Sequence, residues 1–255
     1  MEELTIRECT TIEEFDDCVH LQREAFGLPD LEVTPRRHLI VSRQAGGWTL
    51  GAFAGKRTVG FVHHLAAVRA NEIFGYSHMM AVAKDYQNKG VGARLKWAQR
   101  ERALSEGRSF IKWTWDPMQG RNAHFNLNRL GATVDAYAGS FYGVDYSTDP
   151  EINELPQLPS DRLVATWHLT SARVNLFASG SPAPVEAGPA AAVSIPAEWA
   201  PFVRKDPSRA RDEQARVRKE FNEAFGRGLI CAGFERGAEE SRYLLFEPFF
   251  DRISG

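Results

Sequence analysis

The sequence predicts an α/β (α+β) fold, with a mixed central sheet flanked by helices and a C-terminal α+β extension. The apolar segment Tyr76–Val82 reads as a buried strand, and a loop with Gly90 and Gly92 joins it to an amphipathic helix. Another strand and helix follow. From about Pro150 the chain becomes rich in proline and then in small residues, which indicates a boundary between two parts.

The N-terminal segments predict one strand followed by two helices. Leu4–Arg7 has the apolar alternation of a strand, and Thr11 offers a hydroxyl cap to a helix that runs to about Ala25. The loop 26–30 breaks this helix because it contains glycine and proline. A second helix is expected from about Pro35.

The central segments predict a hairpin, two further strands and two helices. Segments 47–54 and 58–64 flank Gly55-Lys56, a two-residue hairpin signal, and we expect the antiparallel part of the sheet to end there. A helix ending near residue 107 precedes a strand at 110–115, and a closing helix covers 122–132. Strand, glycine loop, helix, strand and helix therefore occur in that order.

The C-terminal part predicts a smaller α+β arrangement. The expected elements are strands at 163–169 and about 193–195, a charged helix at 208–225, and strands at 229–234 and 242–246. This strand, helix, strand, strand order suggests a degenerate copy of the first half of the chain. We divide the chain into residues 1–147, a connecting strand segment 148–177, a linker 178–190 and a small α+β domain 191–255.

Composition excludes several classes of function. The 255 residues carry 31 Lys and Arg against 33 Asp and Glu, so a formal charge of −2 favours neither nucleic acid nor an anionic membrane as a partner. Apolar runs stay short of the roughly 18 residues a membrane helix needs, and the N-terminus lacks a signal peptide's pattern, so we expect a cytoplasmic protein. Cys9, Cys18 and Cys231 are widely spaced, which favours reduced packing residues over a disulfide or metal site.

The loop before the central helix has the chemistry of an anion site. Gly90 and Gly92 lack a Cβ, so the backbone can come close to a ligand, and the helix that starts there presents free N–H groups and its positive dipole end. Gln87, Lys89 and Arg94 add side-chain donors. The pattern therefore indicates a diphosphate site, while a glycine turn before an ordinary surface helix is the alternative.

The spacing Gln87-x-x-Gly90-x-Gly92 after an apolar strand resembles the acyl-CoA-binding motif of the GNAT superfamily of N-acyltransferases. The Gly-x-Gly-x-x-Gly of a Rossmann turn and the Gly-Lys-Ser/Thr of a P-loop do not fit this segment. The resemblance covers about residues 4–147 and implies acetyl-CoA or succinyl-CoA as co-substrate, with no metal. It implies that the cofactor-binding residues are Met80, Ala81, Val82, Gln87, Asn88, Lys89, Gly90, Val91, Gly92, Ala93, Arg94 and Asn122.

The resemblance also suggests catalytic groups. Direct transfer from a thioester to an amine needs a base, and His78 occupies the strand position where arylalkylamine acetyltransferases place one of their paired histidines. The alternative is a partly buried histidine bonded within the sheet. Leu127 stands where the superfamily usually has the tyrosine that acts as the acid, so either Tyr142 replaces that tyrosine or the thiolate leaves without an acid. His63 and His64 should present one ring to each face of the sheet.

Several segments, among them Trp113–Pro117 and 160–163, resemble a bacterial predicted-acetyltransferase family associated with N-acylamino-acid racemases. That resemblance suggests a free amino acid as acceptor, whose carboxylate calls for an arginine. The candidate cations are Arg36, Arg37, Arg121, Arg129 and Arg162. The expected substrate-binding residues are Phe26, His63, Asp116 and Arg121.

The sequence therefore predicts a CoA-dependent N-acyltransferase that moves an acetyl or succinyl group to the amine of a small molecule, with an amino acid favoured. A pseudoenzyme that senses acyl-CoA and a protein lysine acetyltransferase are the alternatives. The expected partners are the small amine and a second copy in a homodimer, with no nucleic acid and no membrane.

Overall fold

The structure is a computed structural model that describes residues 4–144, 158–181 and 188–248. Contacts divide the chain into two compact units, the first ending at Lys112 and the second beginning at Trp113. Residues 148–157 of the predicted connecting segment and 182–187 of the predicted linker lie outside the described residues. The sequence-based division at residue 147 stays a prediction.

The first unit contains strands β1 (Leu4–Glu8), β2 (Trp48–Ala54), β3 (Arg57–Arg69), β4 (Glu72–Val82) and the start of β5 (Phe110–Trp115), arranged in that spatial order. β1 to β4 are antiparallel neighbours, and β5 runs parallel to β4.

The expectation that the antiparallel part ends with the β2–β3 hairpin is wrong. β4 also pairs antiparallel with β3, through a tight turn at Ala70 and Asn71. Both turn residues have positive φ, 49° and 68°, without being glycine. Asparagine tolerates the left-handed region, but alanine gives no turn signal, so the sequence pattern conceals this hairpin.

The helices of the first unit are α1 (Ile12–Phe26), α2 (Arg36–Gln44) and α3 (Val91–Ser105), and a single 3-10 turn covers Lys84–Tyr86. Thr11 caps α1 in a capping box with Glu14, and Gly27 ends it with φ 58°, as the Thr11 and loop signals predict.

Two apolar clusters attach these helices to the sheet. Phe15 and Leu21 of α1 and Leu39 of α2 pack on one set of strand residues, which includes Phe53 and Phe61. Val91 and Leu95 of α3 pack with a different set, which includes Val59 and Val62. Burial of these side chains is the main force that fixes the helices beside β3 and β4.

The second unit contains the end of β5, then β6 (Thr133–Ala138), β7 (Arg162–His168), β8 (Ala191–Pro196), β9 (Ile230–Glu235) and β10 (Glu240–Phe246), ordered β5-β7-β6-β9-β10-β8. Its helices are α4 (Gly120–Asn128), α5 (Ala172–Ala178), α6 (Trp199–Lys205) and α7 (Pro207–Gly226). The predicted α/β (α+β) class is thus confirmed, whereas β6, α5 and α6 were not predicted.

The hypothesis that the C-terminal part repeats the first half is wrong. β8 pairs with β10, whereas the matching strand of the first unit, β1, pairs with β2 directly after the two helices. The element order along the chain is similar, but the strands are joined differently, and the strand order decides the topology. None of the described helices is both long and apolar enough to cross a membrane.

Candidate active site

Strands β4 and β5 run parallel within the first unit, where Gly75 pairs with Ile111 and Tyr76 pairs with Lys112. Residues 77–82 continue β4 from this pairing to the turn that precedes the glycine loop.

A β-bulge lies in β4, two residues after Tyr76. His63 of β3 faces Met79, and His64 faces Ser77, so His78 is the extra residue. A bulge places two neighbouring side chains on one face and increases the local twist. Met79 accordingly packs against the α1 and α2 cluster, and the His78 ring lies close to a histidine of α2.

The glycine loop leads directly into α3, as predicted. Gly90 is the N-cap with φ 80° and no side-chain cap, so the first N–H groups of the helix are not capped by a side chain. A Cβ at Gly90 would meet nothing within 4 Å, whereas a Cβ at Gly92 would lie 3.4 Å from Met80 Cε. The space beside the loop is therefore open to an anion.

The three long side chains predicted to line this loop have contacts of their own. The Gln87 amide donates to the Val82 carbonyl at 3.0 Å, and the Arg94 guanidinium donates to the Leu4 carbonyl at 2.6 Å. Lys89 is exposed, with its Nζ 5.5 Å from the centre of the Tyr86 ring. Gln87 thus braces the end of β4 beside the loop, and ligand contacts by all three stay predictions.

Three imidazoles meet beside the bulge. The ring centres of His38 on α2, His63 on β3 and His78 on β4 lie 5.8 to 6.1 Å from one another. His78 is partly buried, and its Nδ1 has no hydrogen-bond partner among the described residues. Burial, and then the proximity of His38, lower the pKa of His78. A neutral imidazole with an unsatisfied nitrogen is suited to accept a proton.

His63 is fully buried and held at both ring nitrogens. Its Nδ1 lies 2.8 Å from Thr49 Oγ1 and its Nε2 lies 3.3 Å from Ser42 Oγ. Burial lowers the pKa of His63 to about 3, with smaller contributions from His78 and His38. This ring therefore stays neutral and rigid near the bulge.

His64 points to the face of the sheet opposite to that of His63, as the alternation of side chains along a strand predicts. Arg108 Nη1 lies 2.8 Å from its Nε2, and Gln99 Nε2 lies 3.3 Å from its Nδ1. The ring stacks on Trp48 with centres 4.0 Å apart. Burial, together with the charges of Arg108 and Lys96, lowers the pKa of His64 to about 2.

Lys96 completes this buried network under α3. Its ammonium donates to Ser77 Oγ at 3.1 Å and to Gln99 Oε1 at 2.7 Å. Burial lowers the pKa of Lys96 to about 7. No sequence signal indicated this lysine, because its spacing on α3 is that of an apolar residue.

The remaining candidate site residues of the first unit lie on α1 and α2. Phe26 ends α1 and is partly buried against the α1 and α2 cluster. Arg36 binds both oxygens of Asp16, at 2.8 and 2.6 Å, while Arg37 is exposed. His38 was not among the predicted site residues. No sequence signal indicated it, because its approach to His63 and His78 depends on how α2 packs on the sheet.

The second unit holds the other candidates. Asp116 accepts hydrogen bonds from the Met118 backbone at 2.8 Å and the Gln119 amide at 3.2 Å, and so shapes the turn before α4. Arg121 and Asn122 are exposed on α4. Tyr142 is exposed and packs edge-on against Phe141, with ring centres 4.7 Å apart. Their roles stay predictions.

Residues 13–131 match the model of the acetyltransferase (GNAT) family. No curated protein matches the chain. Among the described residues, no cluster of three or more His, Cys, Asp or Glu side chains is arranged to hold a metal ion.

Solved structures show the same fold at low identity. The ribosomal-protein-S18-alanine N-acetyltransferase from Escherichia coli is 12% identical, with 67% of this chain and 96% of that chain covered and a TM-score of 0.52. An N-acetyltransferase from Staphylococcus aureus Mu50 is 10% identical, with 66% and 99% covered and a TM-score of 0.53. Ard1 from Thermoplasma volcanium is 15% identical, with 64% and 95% covered and a TM-score of 0.50.

Over residues 13–131 the chain is thus similar to the acetyltransferase (GNAT) family, and the solved structures show that it shares the fold of N-acetyltransferases. The predicted GNAT resemblance is therefore confirmed, while the narrower racemase-associated family stays a prediction.

Proposed function

We propose that this protein transfers an acetyl or succinyl group from acyl-CoA to the amine of a small molecule, with a free amino acid as the favoured acceptor. The observation that carries the proposal is the glycine loop directly after β4, where α3 begins without a side-chain cap and with open space beside Gly90. The end of β4 and the helix N-terminus match the two parts of a pantetheine diphosphate, its amide arm and its phosphates.

The backbone of Met80, Ala81 and Val82 would hold the amide groups of the pantetheine arm. The loop and first turn from Gln87 to Arg94 would hold the diphosphate through backbone N–H groups. The open space beside Gly90 supports this assignment, because a diphosphate needs close approach to the main chain. Asn122 is a further proposed contact, carried over from the resemblance.

His78 is the proposed general base. Its buried Nδ1 lacks a partner among the described residues, which costs about 1–3 kcal/mol unless a ligand or water satisfies it. The lowered pKa keeps the ring neutral and ready to accept a proton near neutral pH. Tyr142 is the proposed acid for the leaving thiolate.

The acceptor proposal rests on the sequence resemblance together with the chemistry of α1 and α2. Phe26 and His63 would line the acceptor site on the first unit, while Asp116 and Arg121 stay candidates from the sequence resemblance alone. Arg36 is already held by Asp16, so Arg37 is the better candidate on α2 for an acceptor carboxylate.

An acyl-CoA sensor is the second candidate function. It is favoured by Leu127, which is fully buried at the position where the superfamily usually has its tyrosine. A sensor would keep the end of β4 and the glycine loop and would bind acyl-CoA, but it would not catalyse acyl transfer.

The experiment is thiol release from acetyl-CoA and succinyl-CoA, assayed with a panel of D- and L-amino acids and with simple amines as controls. Release that depends on one donor and one acceptor class supports the proposal and names the substrate. Acyl-CoA binding without release from any pair would overturn it and favour the sensor. Binding is measured in parallel by calorimetry with CoA.

A further inference from the structure

The three imidazoles beside the bulge differ in how they meet solvent. His63 is fully buried, His78 is partly buried, and His38 on α2 is exposed. The His38 and His78 rings have their centres 6.1 Å apart and are tilted by 51°. The rings are not hydrogen-bonded to each other, and at this separation one water molecule can bridge two ring nitrogens.

His63 cannot carry a proton away from His78. Both of its ring nitrogens lie within hydrogen-bond distance of hydroxyl groups, those of Thr49 and Ser42. Burial also lowers its pKa to about 3, so protonation of this ring is strongly disfavoured. His38 is therefore the exposed imidazole of the three, since His63 is fully buried and His78 is partly buried.

Resting on the proposed function, we propose that His38 conducts to solvent, through one bridging water, the proton that His78 takes from the acceptor amine. His38 acts through His78 and touches neither substrate, so it is a positioning residue for proton transfer. The exposed side of its ring delivers the proton to bulk water.

The reaction balances with one proton released. The acceptor enters as R–NH3⁺, its nitrogen forms the amide bond to the acyl carbon, and the carbon–sulfur bond breaks. Two protons leave the nitrogen: one ends on the sulfur as CoA-SH, and the other passes from His78 through water to His38 and then to solvent. His78 is thereby returned to its neutral form for the next turnover.

The charged groups near α2 do not offer a proton route from His78 that is equal to the one through His38. Arg36 on α2 is bound to both oxygens of Asp16 from α1, and Arg43 at the other end of α2 is bound to Glu8, the last residue of β1. Both carboxylates are therefore already engaged by guanidinium groups. The groups facing His78 itself are His38 and His63.

The test compares wild type with His38→Ala in the acyl transfer assay, using the donor and acceptor that the wild type turns over best. We expect kcat to fall about tenfold or more, as loss of a proton-transfer group does, while CoA affinity changes less than about twofold. Adding free imidazole should restore most of the lost kcat, since a small base can enter the vacated site. His20→Ala removes an exposed imidazole on α1 and is the matched control.

The outcomes separate this inference from the proposed function. An inactive wild type would remove the proposed function itself. An active wild type with an unchanged His38→Ala kcat would overturn the relay alone. A loss of kcat that imidazole does not restore would assign His38 a packing role and would also overturn it.

Discussion

At the scale of single residues, one side-chain type serves different purposes according to its surroundings. His63 and His64 are neighbours in sequence, yet one is locked between hydroxyl groups and the other is held by Arg108 and Gln99. His78 keeps a buried nitrogen without a partner among the described residues. Because structural histidines are normally satisfied, the unsatisfied one is the candidate base.

We predict that His78→Gln lowers kcat by about 10²–10⁴ while CoA affinity stays nearly unchanged. Steady-state kinetics and CoA calorimetry provide the two measurements. Met79→Leu, which changes the neighbouring bulge residue without removing a base, should keep kcat within about threefold because the volume is conserved. Equal activity of wild type and His78→Gln would refute the role of His78.

The pH profile gives a second check on the same residue. The pKa of His78 lies below its ordinary value of 6.5, so the ring stays neutral to lower pH than a free histidine. We expect the acidic limb of the wild-type kcat profile to fall below about pH 6.5 and to be absent in His78→Gln. An acidic limb retained in the variant would show that another group titrates.

At the scale of elements, the site depends on a bulged strand and on a helix that begins shortly after it. The bulge at His78 increases the local twist of β4. The Gln87 amide then donates to the Val82 carbonyl, and α3 starts at Val91, after its N-cap Gly90, with no side chain capping its first N–H groups. The end of β4 and the start of α3 therefore lie close together along the chain.

We predict that Gly92→Ala weakens CoA binding about tenfold or more while the fold is retained. The new Cβ would lie 3.4 Å from Met80 Cε, an ordinary contact, and alanine favours helix by about 0.5–1 kcal/mol over glycine. The cost therefore falls on the ligand, which must approach the same backbone.

Thermal melting and CoA calorimetry test this prediction together. Gly226→Ala, at the end of α7, introduces the same change into a helix with open space around it and should leave CoA affinity unchanged. A Gly92→Ala protein that melts no lower than wild type and binds CoA equally well would defeat the loop assignment.

At the scale of the whole molecule, the buried bases of the first unit link stability to pH. His63 and His64 have pKa values lowered to about 3 and about 2 by burial, and that of Lys96 is lowered to about 7. In the unfolded chain the pKa values of these groups return to about 6.5 for histidine and about 10.4 for lysine. The unfolded state then binds more protons in two pH windows.

We predict that the free energy of unfolding rises with pH between about 3 and 6.5, and again between about 7 and 10. Each buried base contributes up to about 1.4 kcal/mol per pH unit in its window. Urea titrations across both windows measure the slope. Lys96→Met should flatten the upper window and leave the lower one, and equal upper slopes in both proteins would contradict the assignment.

Patterns confined to one stretch of chain were enough to predict much of the fold and the CoA loop. Thr11 predicted the start of α1, and the spacing of Gln87, Gly90 and Gly92 predicted a glycine turn into α3. These features arise from interactions between residues that are close in sequence, so the spacing of residue types is enough to predict them.

Only the tertiary structure decided which side chains meet. His38 reaches His78 across forty positions of sequence through the packing of α2, and the bulge sets which face His78 occupies. A shift of one residue in strand register would turn each side chain to the other face, and no local pattern encodes that register. The same reason explains why Lys96 and Arg108 went unpredicted: their burial is produced by strands and loops distant in sequence.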